Sequence, residues 1–324
     1  MNTVYPTCRT TFRLWCNRNN KYEKIYNKLG NPLPFDVTLR DGLQGLSKEE
    51  QQHYTGLQKI SLYYDIKTKH FPLNMEIGSI VSNKVFPIFK DSDIIYNYLK
   101  YDQLEPGERK VNNFILIPNE KQFYNISKFM GLDSFSFIAS VSDSFQKKNT
   151  KMSIDTTFQQ LNNMMRILHD RSKRSTVKLY ISCINECPID GKIDNNIVIE
   201  KIMKFNELNP DILCLSDTCG SLIEDDLNNI LCGLKNVLSV KDFKKISLHL
   251  HVKKGRENDV ERIIHSSLDF GIANFDVSAL DSGGCSTTIY KGELAPNLSY
   301  ELYYKSLVNY ILKESEKIII NTLY

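Results

Sequence analysis

Two histidines separated by a single residue, His249 and His251, close an apolar run, Ile246–His251, that reads as a strand. Side chains two apart on a strand share a face, so both imidazoles can reach one metal ion. A second strand-like run, Leu33–Leu39, is followed at once by Arg40, Asp41 and Gly42, within the stretch FDVTLRDGLQ at 35–44. It delivers one cation and one carboxylate to a glycine turn. Two nitrogens and a carboxylate make a mixed N/O site with open positions for substrate oxygens, which suits Mg²⁺ or Mn²⁺ and does not exclude Zn²⁺. Each piece also has a plainer reading. Arg-Asp-Gly at a strand end is often a solvated turn, and a His-x-His pair in a strand is often merely packed or exposed. Glu76 and Asp217, two further acids at strand ends, are open to the same alternatives. What favours chemistry is that these groups fall at the ends of several different strands.

Such placement needs parallel strands, and from Leu33 onward short β-like runs alternate with longer helical ones. Strands are predicted near Leu33–Leu39, Leu73–Ile77, Asn113–Ile117, Ser134–Val141, Val177–Cys183, Ile212–Ser216, Ile246–His251 and Ile272–Ser278. Helices are predicted near Lys48–Asp65, Ser92–Leu99, Lys121–Met130, Ile154–Asp170, Ile197–Glu207, Glu224–Leu238, Asp259–Phe270 and Ser299–Glu314. About eight strands is the number at which such a sheet closes on itself. The expected fold is therefore α/β, a (β/α)8 TIM barrel over residues 31–324 with a short N-terminal extension over residues 1–30. The extension holds several Arg and Lys and no acid before Glu23, superficially like a mitochondrial presequence. Thr11–Asn20, however, shows no convincing apolar face at helical spacing.

A chain of 324 residues, 41% hydrophobic, is long enough for one barrel of about 250 residues with extensions. A net charge of +3, from 41 basic and 38 acidic side chains, leaves no dense basic block, so nucleic acid is not an expected partner. No stretch approaches the roughly 18 to 20 apolar residues of a membrane span. The eight cysteines are scattered, without paired CxxC spacing, and read as free thiols in a reducing compartment. The cytoplasm is the expected location, with the mitochondrion as the alternative.

Leu39–Gln44 (LRDGLQ) resembles the signature of the metal-dependent acyl-CoA lyases and synthases called DRE-TIM metallolyases. Further segments, in the expected order, resemble the 3-hydroxy-3-methylglutaryl-CoA (HMG-CoA) lyase family within it. These are Met75–Pro87 (MEIGSIVSNKVFP), Ser142–Asn149 (SDSFQKKN, with Asp143 in place of a Glu), Ile181–Lys192 (ISCINECPIDGK), Leu215–Gly220 (LSDTCG) and Gly283–Cys285 (GGC). The resemblance implies that Asp41, His249 and His251 bind a divalent metal, with Asn297 as a fourth ligand; a helix cap is the other reading of Asn297. It implies that Arg40, with Gln44 beside the substrate, stabilises an enolate, that Glu76 and Asp217 orient substrate and metal waters, and that Cys285 serves in proton transfer. His249 counts among the catalytic candidates as well. Lys147, Lys148 and Asn149 are candidate contacts for coenzyme A phosphates, although a lysine pair is as often a solvated surface.

The implied activity is metal-dependent cleavage of HMG-CoA to acetyl-CoA and acetoacetate, by a homodimer acting on a small acyl-CoA. The alternatives are a related acyl-CoA lyase, a Claisen-type synthase acting on a 2-oxo acid, and a barrel that binds coenzyme A or a partner without turnover. Two departures bear on the substrate. The family's His-Asp-Thr-x-Gly is here His251-Val252-Lys253-Lys254-Gly255, and its glycine loop is here Asp281-Ser282-Gly283-Gly284-Cys285-Ser286-Thr287-Thr288.

Overall fold

A computed structural model of the chain describes residues 5–101, 110–127, 131–170, 175–284 and 294–323. Eight parallel strands carry it: β1 (Phe35–Asp36), β2 (Asn74–Ser79), β3 (Asn112–Leu116), β4 (Ser134–Ser140), β5 (Thr176–Ser182), β6 (Ile212–Asp217), β7 (Ile246–Leu250) and β8 (Asp276–Val277). Their hydrogen-bonded order runs β8, β1, β2 and so on to β7. A parallel bridge between Leu248 and Phe275, with the Leu248 amide donating to the Asn274 carbonyl at 3.0 Å, joins β7 to β8 and brings the sheet round to a barrel. The strands are buried on both faces, as parallel strands covered by helices must be. Among the described residues, no helix is long and apolar enough to cross a membrane.

The ring interior is small and mixed. Phe35, Val37 and Phe114 with Ile212 form one apolar cluster, and Leu116, Tyr180 and Cys214 with Ile138 form another. Period-2 alternation also turns charged groups inward: Glu76, Lys178 and Asp276 are fully or almost fully buried.

Several expectations need correction. The first strand is much shorter than Leu33–Leu39, because the chain leaves the ladder at Val37 and enters a π-helical turn over Thr38–Gly42. The last strand is Asp276–Val277 in place of Ile272–Ser278. The helix expected at Lys48–Asp65 is two, Lys48–Gln51 with a reciprocal Ser47/Glu50 cap and Gly56–His70. Ser142–Asn149 holds a helix, Asp143–Thr150, whose first turn is capped by the Ser142 hydroxyl accepting from the Phe145 amide at 3.1 Å. A two-stranded hairpin, Glu186–Cys187 against Gly191–Lys192, was not expected either.

The N-terminal segment does form helices, Arg9–Cys16 and Asn20–Lys28. Phe12 and Cys16, four residues apart, are fully buried. Phe12 stacks on Tyr304 of the last helix, Tyr300–Leu323, at 5.2 Å and meets Tyr26 edge-on at 5.1 Å. A two-turn helix offers only two such positions, too few to stand out as a stripe against the surrounding arginines. Phe12→Ala is expected to destabilise the protein by about 3–5 kcal/mol. The reading is a lower urea midpoint at unchanged slope.

Candidate metal centre and active site

The π turn explains how adjacent residues both reach the barrel mouth. The amides of Arg40, Asp41 and Gly42 all converge on the Val37 carbonyl, at 3.2, 2.8 and 3.1 Å, and the Leu43 amide returns to the Thr38 carbonyl. The widened turn holds Arg40 and Asp41 side by side and buried, where a regular strand would send them to opposite faces. Arg40 Nε donates to Glu76 Oε2 on β2, and Arg40 Nη1 to Asp41 Oδ1. The Tyr180 hydroxyl also donates to Glu76 Oε2, at 3.1 Å, and its ring faces the guanidinium at 5.2 Å. The arginine is thus fixed before any ligand arrives.

Asp41 Oδ2 faces the histidines of the β7 end, 3.6 Å from His249 Nε2 and 3.5 Å from His251 Nε2. Both rings are turned from behind. His249 Nδ1 lies 3.0 Å from Asp276 Oδ2, and His251 Nδ1 lies 2.9 Å from the Asp217 carbonyl oxygen. Those acceptors place a proton on each Nδ1 and turn each Nε2 toward Asp41.

Burial works against charge here, and the neighbours decide the outcome. Burial raises the Asp41 carboxyl, but the Arg40 guanidinium, with His251 and His249, holds it well below the usual carboxylate range. Burial lowers Arg40, but Glu76 and Asp41 hold it well above its ordinary value. Burial keeps His249 low despite Asp276, whereas for His251 the Asp41 carboxylate outweighs burial and raises it.

The donor set fits a divalent cation. One ligand atom each from Asp41, His249 and His251 lie within 4.8 Å of one another. Ligands about 2.0–2.2 Å from a shared ion stand about 3–3.5 Å apart, close to the separations seen. His251 Nε2 and Asn297 Oδ1 are buried with no hydrogen-bond partner. Leaving such an acceptor unsatisfied costs about 1–3 kcal/mol, and a cation would satisfy both. Asn297 pairs with His251 through an antiparallel bridge and is anchored by Nδ2 donating to the Ser282 carbonyl at 3.0 Å, so its free oxygen belongs to this neighbourhood.

The glycine loop closes on the same spot. A Cβ on Gly45 would meet the Gly283 nitrogen at 2.2 Å, so the two backbones touch. That approach lets the Gly284 amide donate to Asp41 Oδ2 at 3.0 Å. Cys285, the next residue, lies outside the described residues.

A cavity of about 140 Å³ opens above these groups. Arg40, Asp41, Gln44, His249 and His251 line it on one side; Val81, Phe86, Pro118 and Phe145 form an apolar wall. Asn149 lines it too, one turn beyond Phe145 on the same helix face, but Lys147 and Lys148 do not. Lys147 instead pairs with Asp143 on the outer surface. Glu76 sits behind Arg40. Asp217 turns its carboxylate onto its own loop, accepting from the Ser221 and Leu222 amides at 3.1 Å each, and reaches the site through its backbone oxygen. Val252 is buried, while Lys253 and Lys254 are exposed and absent from the cavity lining.

Lys178, Tyr180 and Asp276, which the structure brings to the site, are not among the candidates that motif and spacing single out. Their signal is a polar residue at alternate positions of an apolar strand, as in Val177-Lys178-Leu179-Tyr180-Ile181.

A family model described as HMGL-like matches residues 114–256, a span that includes both histidines. The chain is 26% identical over 253 residues to the hydroxymethylglutaryl-CoA lyase of Pseudomonas mevalonii, covering 78% of this chain and 77% of that protein. It is 27% identical over 250 residues to the 3-hydroxy-3-isohexenylglutaryl-CoA/hydroxy-methylglutaryl-CoA lyase of Pseudomonas aeruginosa, covering 77% of each. The solved HMG-CoA lyase from Brucella melitensis superposes with a TM-score of 0.71 at 22% identity, over 86% of this chain and 91% of that one. That likeness establishes the TIM-barrel fold.

Proposed function

We propose that this chain, whose residues 114–256 match the HMGL-like family model, is a member of that family and a metal-dependent carbon–carbon lyase cleaving HMG-CoA to acetyl-CoA and acetoacetate. One observation carries the reading: Asp41, His249 and His251 converge at the mouth of the barrel beside a buried, pre-oriented Arg40, and all four line one cavity.

The reaction removes the proton of the C3 hydroxyl. The O–H pair becomes the ketone π bond, the C2–C3 bond breaks, and its electrons leave with the thioester as an enolate that is then protonated. Asp41, His249, His251 and Asn297 would hold a divalent cation, which when bound would make the hydroxyl more acidic. Arg40 places fixed positive charge where the enolate develops, with Glu76 and Asp41 keeping it in line. Gln44, lining the cavity next to it, contacts the acyl group. The Cys285 thiol is the proposed proton-transfer group. Asn149, which lines the cavity, is the proposed contact for coenzyme A, with Lys147 and Lys148 supplying charge for its phosphates, Lys147 by exchanging Asp143 for a phosphate. The apolar wall receives the C3 methyl. It also favours a second reading, a lyase for 3-hydroxyglutaryl-CoA thioesters with a longer alkyl branch. A homodimer in the cytoplasm completes the proposal; free thiols at all seven described cysteines support a reducing compartment.

The test is acetoacetate release from HMG-CoA by purified protein with Mg²⁺, Mn²⁺ or a chelator. Release that needs metal and stops with chelator is the expected result. Absence of release with metal bound, but cleavage of a longer-branched thioester, would favour the second reading; no cleavage of either would sink both.

A further inference from the structure

We propose that Lys178 and Asp276 form a buried ion pair whose task is to position His249 as a metal ligand. The proposal rests on the metal-centre reading above.

Lys178 lies on β5 and Asp276 on β8, 98 residues apart, and both side chains are completely buried inside the ring. Burying a charged pair is a poor way to stabilise a core, because desolvation cancels much of the attraction and apolar residues of similar volume do as well or better. A charge pair in the centre of a barrel therefore calls for another reason.

Its geometry supplies one. Lys178 Nζ holds Asp276 Oδ1, and Asp276 Oδ2 accepts from His249 Nδ1 at 3.0 Å. The ammonium is wedged between the rings of Phe35, at 3.4 Å from the centroid, and Tyr180, at 4.4 Å, so it cannot swing away. A lysine clamps a carboxylate, the carboxylate fixes the plane and tautomer of an imidazole, and the Nε2 of that imidazole faces Asp41 at 3.6 Å. His251 differs. Its Nδ1 rests on the Asp217 backbone carbonyl, a partner no side-chain substitution removes. Of the two histidines, His249 is the one whose orientation depends on side-chain charge deep in the barrel.

The pair acts through His249 and touches no substrate, so Lys178 and Asp276 are positioning residues. The experiment is calorimetric titration of the full-length protein with Mn²⁺, for wild type, Asp276→Asn, Lys178→Met, Lys178→Arg and the double variant Lys178→Met/Asp276→Asn. Metal-free thermal unfolding is run beside each. We expect Asp276→Asn and Lys178→Met each to weaken Mn²⁺ binding by about 10- to 100-fold, Lys178→Arg to restore most of it, and the double variant to lose no more than the worse single one. Should Lys178→Met fail to fold, the isosteric Asp276→Asn carries the comparison. Folded Asp276→Asn or Lys178→Met binding Mn²⁺ like wild type would overturn the proposal, as would losses that simply add in the double variant. Wild-type protein that binds no Mn²⁺ would overturn the metal-centre reading, and this proposal with it.

Discussion

Arg40→Met is expected to lower kcat for acetoacetate release by about 10³-fold, the upper range for loss of one pre-aimed donor to a developing oxyanion. The guanidinium is buried, its Nε and Nη1 are committed to Glu76 and Asp41, and the Tyr180 ring covers it. It therefore offers charge at no reorganisation cost when the enolate forms. Methionine fills similar space without charge and leaves two buried carboxylates without their cation, so a loss of stability of about 3–5 kcal/mol accompanies the change. Arg40→Lys separates the effects: it keeps a charge but cannot serve Glu76 and Asp41 through two fixed N–H groups. Both variants are measured well below their unfolding temperature, with Mn²⁺ titrated in parallel. The pH dependence gives a second readout. Burial pushes Asp41 up and Arg40 holds it well below the usual range, so without Arg40 its carboxyl titrates at higher pH. A cation needs the ionised form. Mn²⁺ binding to Arg40→Met should accordingly fail at a higher pH than in wild type as the solution is acidified, and identical pH profiles would contradict the role assigned to the pair.

Asp41→Ala should have an effect at least as large, through a different route. Its Oδ2 is the atom that both Nε2 groups face and that receives the Gly284 amide, while Oδ1 steadies Arg40. Alanine removes a ligand, the acceptor that holds the glycine loop and one partner of the arginine together. Mn²⁺ affinity is expected to fall by about 100-fold or more, the least that losing a ligand should cost when loss of its supporting partner costs 10- to 100-fold. Acetoacetate release should become undetectable at metal concentrations that saturate wild type. Asp41→Asn, which keeps the shape, tests the charge. Retention of wild-type Mn²⁺ affinity by both variants would remove Asp41 from the ligand set.

Much of this site was legible before any coordinates, because strand and helix periods are local. Ile246–His251 reads as a strand from its apolar content, and a strand puts His249 and His251 on one face whatever the partner elements are. Leu33–Asp41 places a carboxylate after another strand, and eight such strands in parallel bring their ends to one rim. Residue order along the chain was thus enough to predict the barrel and to bring Asp41 and the histidines together.

What the tertiary structure decided is direction and partnership, which depend on contacts between residues far apart in sequence. Nothing in Thr38–Gly42 announces a π turn; it arises where β1 leaves the ladder, and it sets Arg40 and Asp41 side by side. Asp217 sits at the expected strand end, yet the Ser221 and Leu222 amides take its carboxylate and leave only its carbonyl for His251. Phe12 and Cys16 show as a buried face only once Tyr26 and Tyr304 lie against them. Lys178 looks like a misplaced charge in an apolar strand until ring closure carries Asp276 across the barrel to meet it. Local sequence sets which way each side chain faces along its own strand; only the closed ring determines what it faces.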